Sequence, residues 1–293
     1  MTNPDAADAG CGEACYSHDL MRREFGALML GAGLTVAAGP AAAALAVKET
    51  EVTIKTPDGT CDAVFVHPAS GAYPGVLIWP DAMGLRPAFR EMAKRLAGEG
   101  YAVLVPNPFY RTAKAPVFAP DFDFNKPEDR AKLPAMMGPL QAAGAAERDA
   151  VAFIGFLDSQ AAVKKTAKIG TTGYCMGGPL TMRTAATVPD RVGAAGSFHG
   201  GGLVTDKPDS PHLLVPKIKA RYLFAIAAND DKAQPDAKDK LRDAFAAAKL
   251  PAEIEVYDGA MHGWCVPGSA VYNQPQAERA WARLLVLFKG ALA

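Results

Sequence analysis

Gly173-Tyr174-Cys175-Met176-Gly177-Gly178 sets a thiol between glycines, after an apolar run that reads as a strand and before a stretch that reads as a helix. A nucleophile at so sharp a strand-to-helix turn needs glycine on both sides, because side chains there would meet the neighbouring strand and helix. The helix that starts at the turn aims its free N–H groups and the positive end of its dipole at the sulfur, which favours thiolate over thiol. The N–H of Met176 then lies where an oxyanion would form. A thiolate nucleophile calls next for a base, and for a group that orients the base. His262, in Gly259-Ala260-Met261-His262-Gly263, follows the last predicted strand and supplies the base. Asp230 and Asp231 follow the strand predicted at 222–227 and offer the acid. Nucleophile, acid and histidine in that chain order suit this strand-turn-helix class. The spacing to Pro235 favours Asp231 as the acid, leaving Asp230 to shape the loop or meet solvent. His262 would take the Cys175 proton and return it to the leaving group, while the aspartate fixes the imidazole tautomer.

These residues need a scaffold, and the hydrophobic pattern supplies one. Two short strands, 51–55 and 62–67, flank the turn Pro57-Asp58-Gly59, a hairpin signal. The unbroken apolar run Val76-Leu77-Ile78-Trp79 predicts a strand buried on both faces. Pro87 opens a helix with Phe89, Met92 and Leu96 at helical spacing, stopped by Gly98 and Gly100. Another buried strand follows at 101–105. From Pro106 to Leu140 the chain carries seven prolines and reads as a long irregular connection, of the kind used for lids and substrate walls. Helices are then predicted at 145–157, after Cys175, at 235–247 and at 276–289, with strands at 168–172, 194–198, 222–227 and 252–257. Repeated βα units define an α/β fold with a mostly parallel central sheet and helices on both faces.

The 293 residues carry 31 Lys plus Arg against 31 Asp plus Glu. This balance gives no basic field for a nucleic acid, so affinity must come from local sites. The first 46 residues differ from the rest. A polar, slightly acidic leader precedes Arg22-Arg23 and an uncharged Ala/Gly/Leu stretch ending in Ala44-Leu45-Ala46. This resembles a twin-arginine export signal cut before Val47, with Arg22, Arg23 and Phe25 matching its pattern and Met21, Gly26 and Ala27 departing from it. The expectation is a leader at 1–46 and one domain at 47–293, periplasmic or secreted and without a stable membrane span. The competing reading keeps the segment as an uncleaved anchor or leaves the protein cytoplasmic. Its loss would remove two basic and five acidic residues, leaving the domain mildly basic. The domain keeps Cys61, Cys175 and Cys265, an odd number, so at least one thiol stays free. Cys11, Cys15 and His18 lack a fourth zinc ligand, and no His-Glu-x-x-His occurs. No metal or cofactor is expected. His67, His199 and His212 read as structural or surface residues, with His199 also placed to line a pocket, and Cys265 reads as a pocket-lining thiol.

From Val52 to the C-terminus the sequence resembles the dienelactone hydrolase family of α/β-hydrolases. The resemblance rests on Gly173-Tyr-Cys-Met-Gly-Gly178, on Ala260-Met-His-Gly263, and on Ile78-Trp-Pro-Asp-Ala-Met-Gly-Leu85 with its following helix. It implies a Cys175, Asp231, His262 triad and an oxyanion hole from the backbone N–H groups of Met176 and Ala82. It also implies a carboxylate before the second donor that touches the resting thiol; here that position holds Asp81, one methylene shorter than the family's glutamate. Of the two arginines with which the family's dienelactone enzymes clamp a substrate carboxylate, Arg111 matches one and Val266 stands at the other. Trp264 and Phe109 would then form an apolar wall, pointing to a less charged ester, lactone or thioester.

The expected activity is hydrolysis of an ester or lactone, dienelactone-type or a less charged analogue, through a thioacyl-enzyme. Two readings compete with it: a redox-responsive or ligand-binding protein in which Cys175 oxidises, and an acyltransferase with an acceptor other than water. The sequence leaves the oligomeric state open.

Overall fold

The turn at Pro57-Asp58-Gly59 closes two antiparallel strands of ten residues each, β1 (Val47–Thr56) and β2 (Gly59–Pro68). They run past their predicted ends because charged positions of β1 are held from outside by the first helix. Glu49 pairs with both Arg90 and Lys94. The computed structural model describes residues 44–119, 121–123 and 126–292. The expected leader therefore lies almost wholly outside the described residues.

Then come β3 (Gly75–Trp79), α1 (Pro87–Gly98), β4 (Ala102–Pro106), the short helix α2 (Pro127–Arg130), α3 (Leu133–Gln141) and α4 (Ala145–Ser159). The second half alternates more regularly: β5 (Ile169–Tyr174), α5 (Gly177–Thr187), β6 (Val192–Phe198), a 3-10 turn at Pro211–Lys217, β7 (Arg221–Ala227), α6 (Ala228–Ala233), α7 (Ala237–Ala247), β8 (Ala252–Tyr257) and α8 (Gln274–Ala291). Among the described residues, eight strands form one sheet in the order β1-β2-β4-β3-β5-β6-β7-β8, parallel from β4 to β8 and antiparallel at β1 and β2.

Every residue of β3, β4 and β5 is buried, as the unbroken apolar runs require once helices cover both faces. On one face Phe89 and Leu96 of α1 meet Trp281, Leu284 and Phe288 of α8. On the other, Phe153 and Leu157 of α4 close over Trp79 and Leu104, while Leu241 and Phe245 of α7 cover Tyr222 and Phe224. Side chains of this size contribute roughly 1.5–3 kcal/mol each when fully buried. Together they hold the carboxyl ends of β3, β5, β7 and β8, from which the candidate site is built.

The stretch 106–140 is less irregular than its prolines suggest, because α2 and α3 both have proline in the first turn. Proline there removes an N–H that no helix would have used, so it starts helices as readily as it stops them. At the outer strand β8, Glu253 and Glu255 pair with Arg283 and Arg279 of α8. Among the described residues, no helix is long and apolar enough to cross a membrane.

Candidate active site

Cys175 stands between the end of β5 and the start of α5 with φ of 53°, a left-handed conformation unusual for a residue with a side chain. The glycines make that turn possible. A Cβ on Gly173 would lie 2.0 Å from the carbonyl oxygen of Gly177, and one on Gly177 would lie 2.3 Å from that of Trp79. The start of α5 therefore rests directly on the end of β3. Ala82 lies in the loop that follows β3, three residues beyond Trp79. Among the described residues neither its backbone N–H nor that of Met176 donates to a protein acceptor, so both are available to an oxyanion.

His262 follows β8, and its own backbone N–H donates to Asn229 Oδ1 at 2.8 Å. Its Nδ1 donates to Asp230 Oδ2 at 2.8 Å, and the Cys175 sulfur is near enough to act on the charge of its ring. The Asp230 carboxylate first, and the Cys175 sulfur second, raise the imidazole from 6.5 to about 10. A charged imidazole beside the sulfur is the partner a thiolate needs.

Asp231, the acid favoured from spacing, is placed elsewhere. Its Oδ1 takes the Lys238 ammonium at 2.6 Å. The cause is α6, which begins at Ala228 and turns consecutive residues about 100° apart. Only one of the two aspartates can face His262, and it is Asp230.

Three further assignments change. Asp81 binds Arg86 with both oxygens, at 2.6 and 2.8 Å, and accepts the Met83 N–H at 2.9 Å. It is a loop-capping carboxylate, committed away from the thiol. Arg111 does not present a free cation to a substrate: Asp149 takes it through two hydrogen bonds of 2.8 Å and Asp58 through two, of 2.6 and 3.2 Å. Trp264 is fully buried, stacked on Tyr257 at 4.7 Å, and Phe109 is buried against Phe118, so both pack the core instead of walling a pocket. Val266 is buried as well. Cys265 lines a cavity of about 130 Å³ bordered by Tyr174, Phe198 and Trp281. Burial pushes both its thiol and that of Cys61 up, leaving Cys175 as the described thiol that is only partly buried.

His67 and His212 serve local turns, hydrogen-bonded to the carbonyl of Pro68 and to Ser210 Oγ. His199, expected to be structural or pocket-lining, is packed directly against Cys175 and His262. It directly follows β6 with φ of 39°, is 1% exposed, and its Nδ1 accepts the Cys175 N–H at 3.2 Å while the ring meets that of His262 at 5.0 Å. Burial drives it down to about 3, so it stays neutral, with Nε2 carrying the hydrogen. A sequence signal existed in its position immediately after a buried strand next to the nucleophile strand. Asparagine tolerates left-handed φ and offers an acceptor near Nδ1, whereas alanine offers neither. His199→Ala is thus expected to lose about 1–3 kcal/mol more stability than His199→Asn, as measured by urea denaturation; equal losses would show that the ring's size alone matters. Among the described residues, no group of three His, Cys, Asp or Glu is gathered for a metal ion.

A mostly parallel eight-stranded sheet among the described residues, with helices on both faces, a cysteine at a sharp turn after the fifth strand, an aspartate after the seventh and a histidine after the eighth, is an α/β-hydrolase fold. Solved structures agree. A dienelactone hydrolase-like promiscuous phosphotriesterase from metagenomic libraries superimposes with a TM-score of 0.70 at 24% identity, over 85% of this chain and 100% of that one. The dienelactone hydrolase of Anabaena variabilis gives 0.60 at 20% identity, over 84% and 99%. The sequence signature of the dienelactone hydrolase family matches residues 61–292, and the chain belongs to that family. The carboxymethylenebutenolidase of Rhodococcus opacus is 26% identical over 245 residues, covering 80% of this chain and 88% of its own.

Proposed function

We propose that the protein hydrolyses carboxylic esters or lactones with Cys175 as nucleophile, His262 as base and acid, and Asp230 as the group that orients and charges His262. The observation that carries this reading is the Asp230–His262 hydrogen bond of 2.8 Å beside Cys175, which stands at a left-handed elbow. Family membership supports the reaction class. The thiolate attacks the ester carbonyl, whose oxygen gains negative charge and accepts from the N–H groups of Met176 and Ala82. The carbon–oxygen bond breaks, and the leaving alcohol takes the proton from His262. A water then gives its proton to His262 and attacks the thioester, releasing the acid and restoring the thiol. In a lactone the leaving alcohol stays tethered to the acyl group, so the same steps give one hydroxy acid. Asp230 keeps the imidazole upright and stabilises its charged form throughout.

Nitrophenyl esters test this directly. The full-length protein should release one equivalent of nitrophenol in a burst wherever deacylation is the slower step, with the acyl mass found on Cys175. Cys175→Ala should lose about 10³-fold or more in turnover. Turnover that survives in Cys175→Ala would end the thiol reading. Export of the domain by the leader at 1–46 is proposed alongside, from the Arg22-Arg23 motif; a protein found only in the cytoplasmic fraction would refute it.

A further inference from the structure

Beside the elbow, on the α4 and α5 face of the sheet, lies a cavity of about 360 Å³. One wall is a single stripe along α5 and its capping residue: Met176, Leu180 and Arg183 are spaced four and three residues apart, which puts them on one side of the helix and spans about 10 Å along it. Met137 and Leu140 of α3 face that stripe. The third side is the loop after β6, whose Gly201 N–H reaches the Cys175 carbonyl at 3.4 Å. The slot therefore begins at the oxyanion donor Met176 and runs away from the nucleophile.

Its far end carries charge that is already matched. Arg183 donates to Glu147 at 2.8 Å and to the carbonyl and carboxylate of Asp209 at 3.0 and 3.3 Å, tying α4 to the loop before the 3-10 segment across the slot. Lys207 also borders the slot, but its side chain is exposed to solvent. Two cations against two carboxylates leave no net field to select an anion. None of Asn229, Asp230 or His262 borders the cavity, whereas the leaving alcohol must lie beside His262 to take its proton.

We infer that this slot is the acyl-group site, and that it selects esters of uncharged, medium-length aliphatic acids over acetate and over acyl groups ending in a carboxylate. The inference rests on the hydrolase reading above. Apolar walls at the near end favour methylene groups, each of which leaves water on binding. The ion pairs at the far end set a limit on length.

The experiment is a series of nitrophenyl esters with one leaving group and acetate, butyrate, hexanoate and octanoate as acyl groups, together with the nitrophenyl hemiester of adipic acid. For the wild type, kcat/KM is expected to rise at least about tenfold from acetate to hexanoate and to be lower for the hemiester than for hexanoate. Gly201→Phe fills the slot, since a Cβ at Gly201 meets no atom within 4 Å. It should cut the hexanoate-to-acetate ratio at least about fivefold. A flat chain-length profile, a hemiester preferred over hexanoate, or a ratio unmoved in a folded Gly201→Phe would each overturn the assignment while leaving ester hydrolysis standing. No turnover on any ester would overturn the hydrolase reading and this inference with it.

Discussion

Asp230→Asn is expected to lower kcat/KM by about 10³–10⁴-fold, while Asp231→Asn stays within about threefold of the wild type. The difference comes from a single step around α6. Asp230 holds His262 Nδ1 at 2.8 Å; Asp231 holds Lys238 at 2.6 Å, seven residues along the chain. An amide at 230 presents either a weaker acceptor or an N–H to the imidazole, and so favours the wrong tautomer. The pH profile separates lost orientation from lost charge. His262 is raised to about 10 chiefly by Asp230, so a reaction that needs the charged imidazole keeps its alkaline limb near that pH. Removing the carboxylate removes the first cause of the rise, and the limb must move to lower pH. Steady-state rates between pH 6 and 11 decide the matter, and a limb that stays in place would mean that another group titrates there.

The second large effect is expected at a residue with no side chain. Gly177→Ala would set a methyl group 2.3 Å from the carbonyl oxygen of Trp79 and 2.8 Å from that of Pro80, both backbone atoms that no rotamer change relieves. Either α5 or the end of β3 must shift. Overpacking of this kind costs about 1–3 kcal/mol, and a displacement of about 1 Å between the two oxyanion donors costs 10²-fold or more in rate. The matching control is Gly155→Ala in α4, where a Cβ meets nothing within 4 Å and helix propensity favours alanine by about 1 kcal/mol. Thermal melts and kcat on one ester therefore contrast a glycine required by contact with one that is not. Wild-type activity in Gly177→Ala would mean that the packing of α5 on β3 does not set the site.

Much of this architecture was legible in the sequence. The unbroken apolar runs that became β3, β4 and β5 could hardly be anything but central strands, and glycines flanking a cysteine at a strand end specify the elbow. The placement of Cys175, His262, Met176 and Ala82 just beyond strand ends follows from pattern, because it depends only on where strands end. The choice between Asp230 and Asp231 was not legible. It turns on the 100° that separates neighbours on a helix, and that helix was itself hidden inside an expected loop. Asp81, Arg111 and Trp264 were misplaced for a related reason. Each carries a residue type that fits a site, yet Arg86, Asp149 and Tyr257 claim them through contacts made only on folding. The partners of Arg111 lie 53 and 38 residues away in sequence. His199 was undervalued because a histidine after a strand carries no periodic signal, and its importance comes from an adjacent strand.

The glutamates along β8 and the charged positions of β1 bear on how copies of this protein meet. Both are the outer strands of the sheet, where unpaired backbone groups would otherwise invite a neighbour to add a strand. Glu253 and Glu255 are tethered to α8, Glu49 is tethered to α1, and Lys48, Glu51 and Lys55 stand beside the same edge. Fibre-like growth through either rim would have to strip those carboxylates of their partners or bring like charges together. A ninth strand is thereby disfavoured at either rim, and self-assembly is steered toward the helical faces.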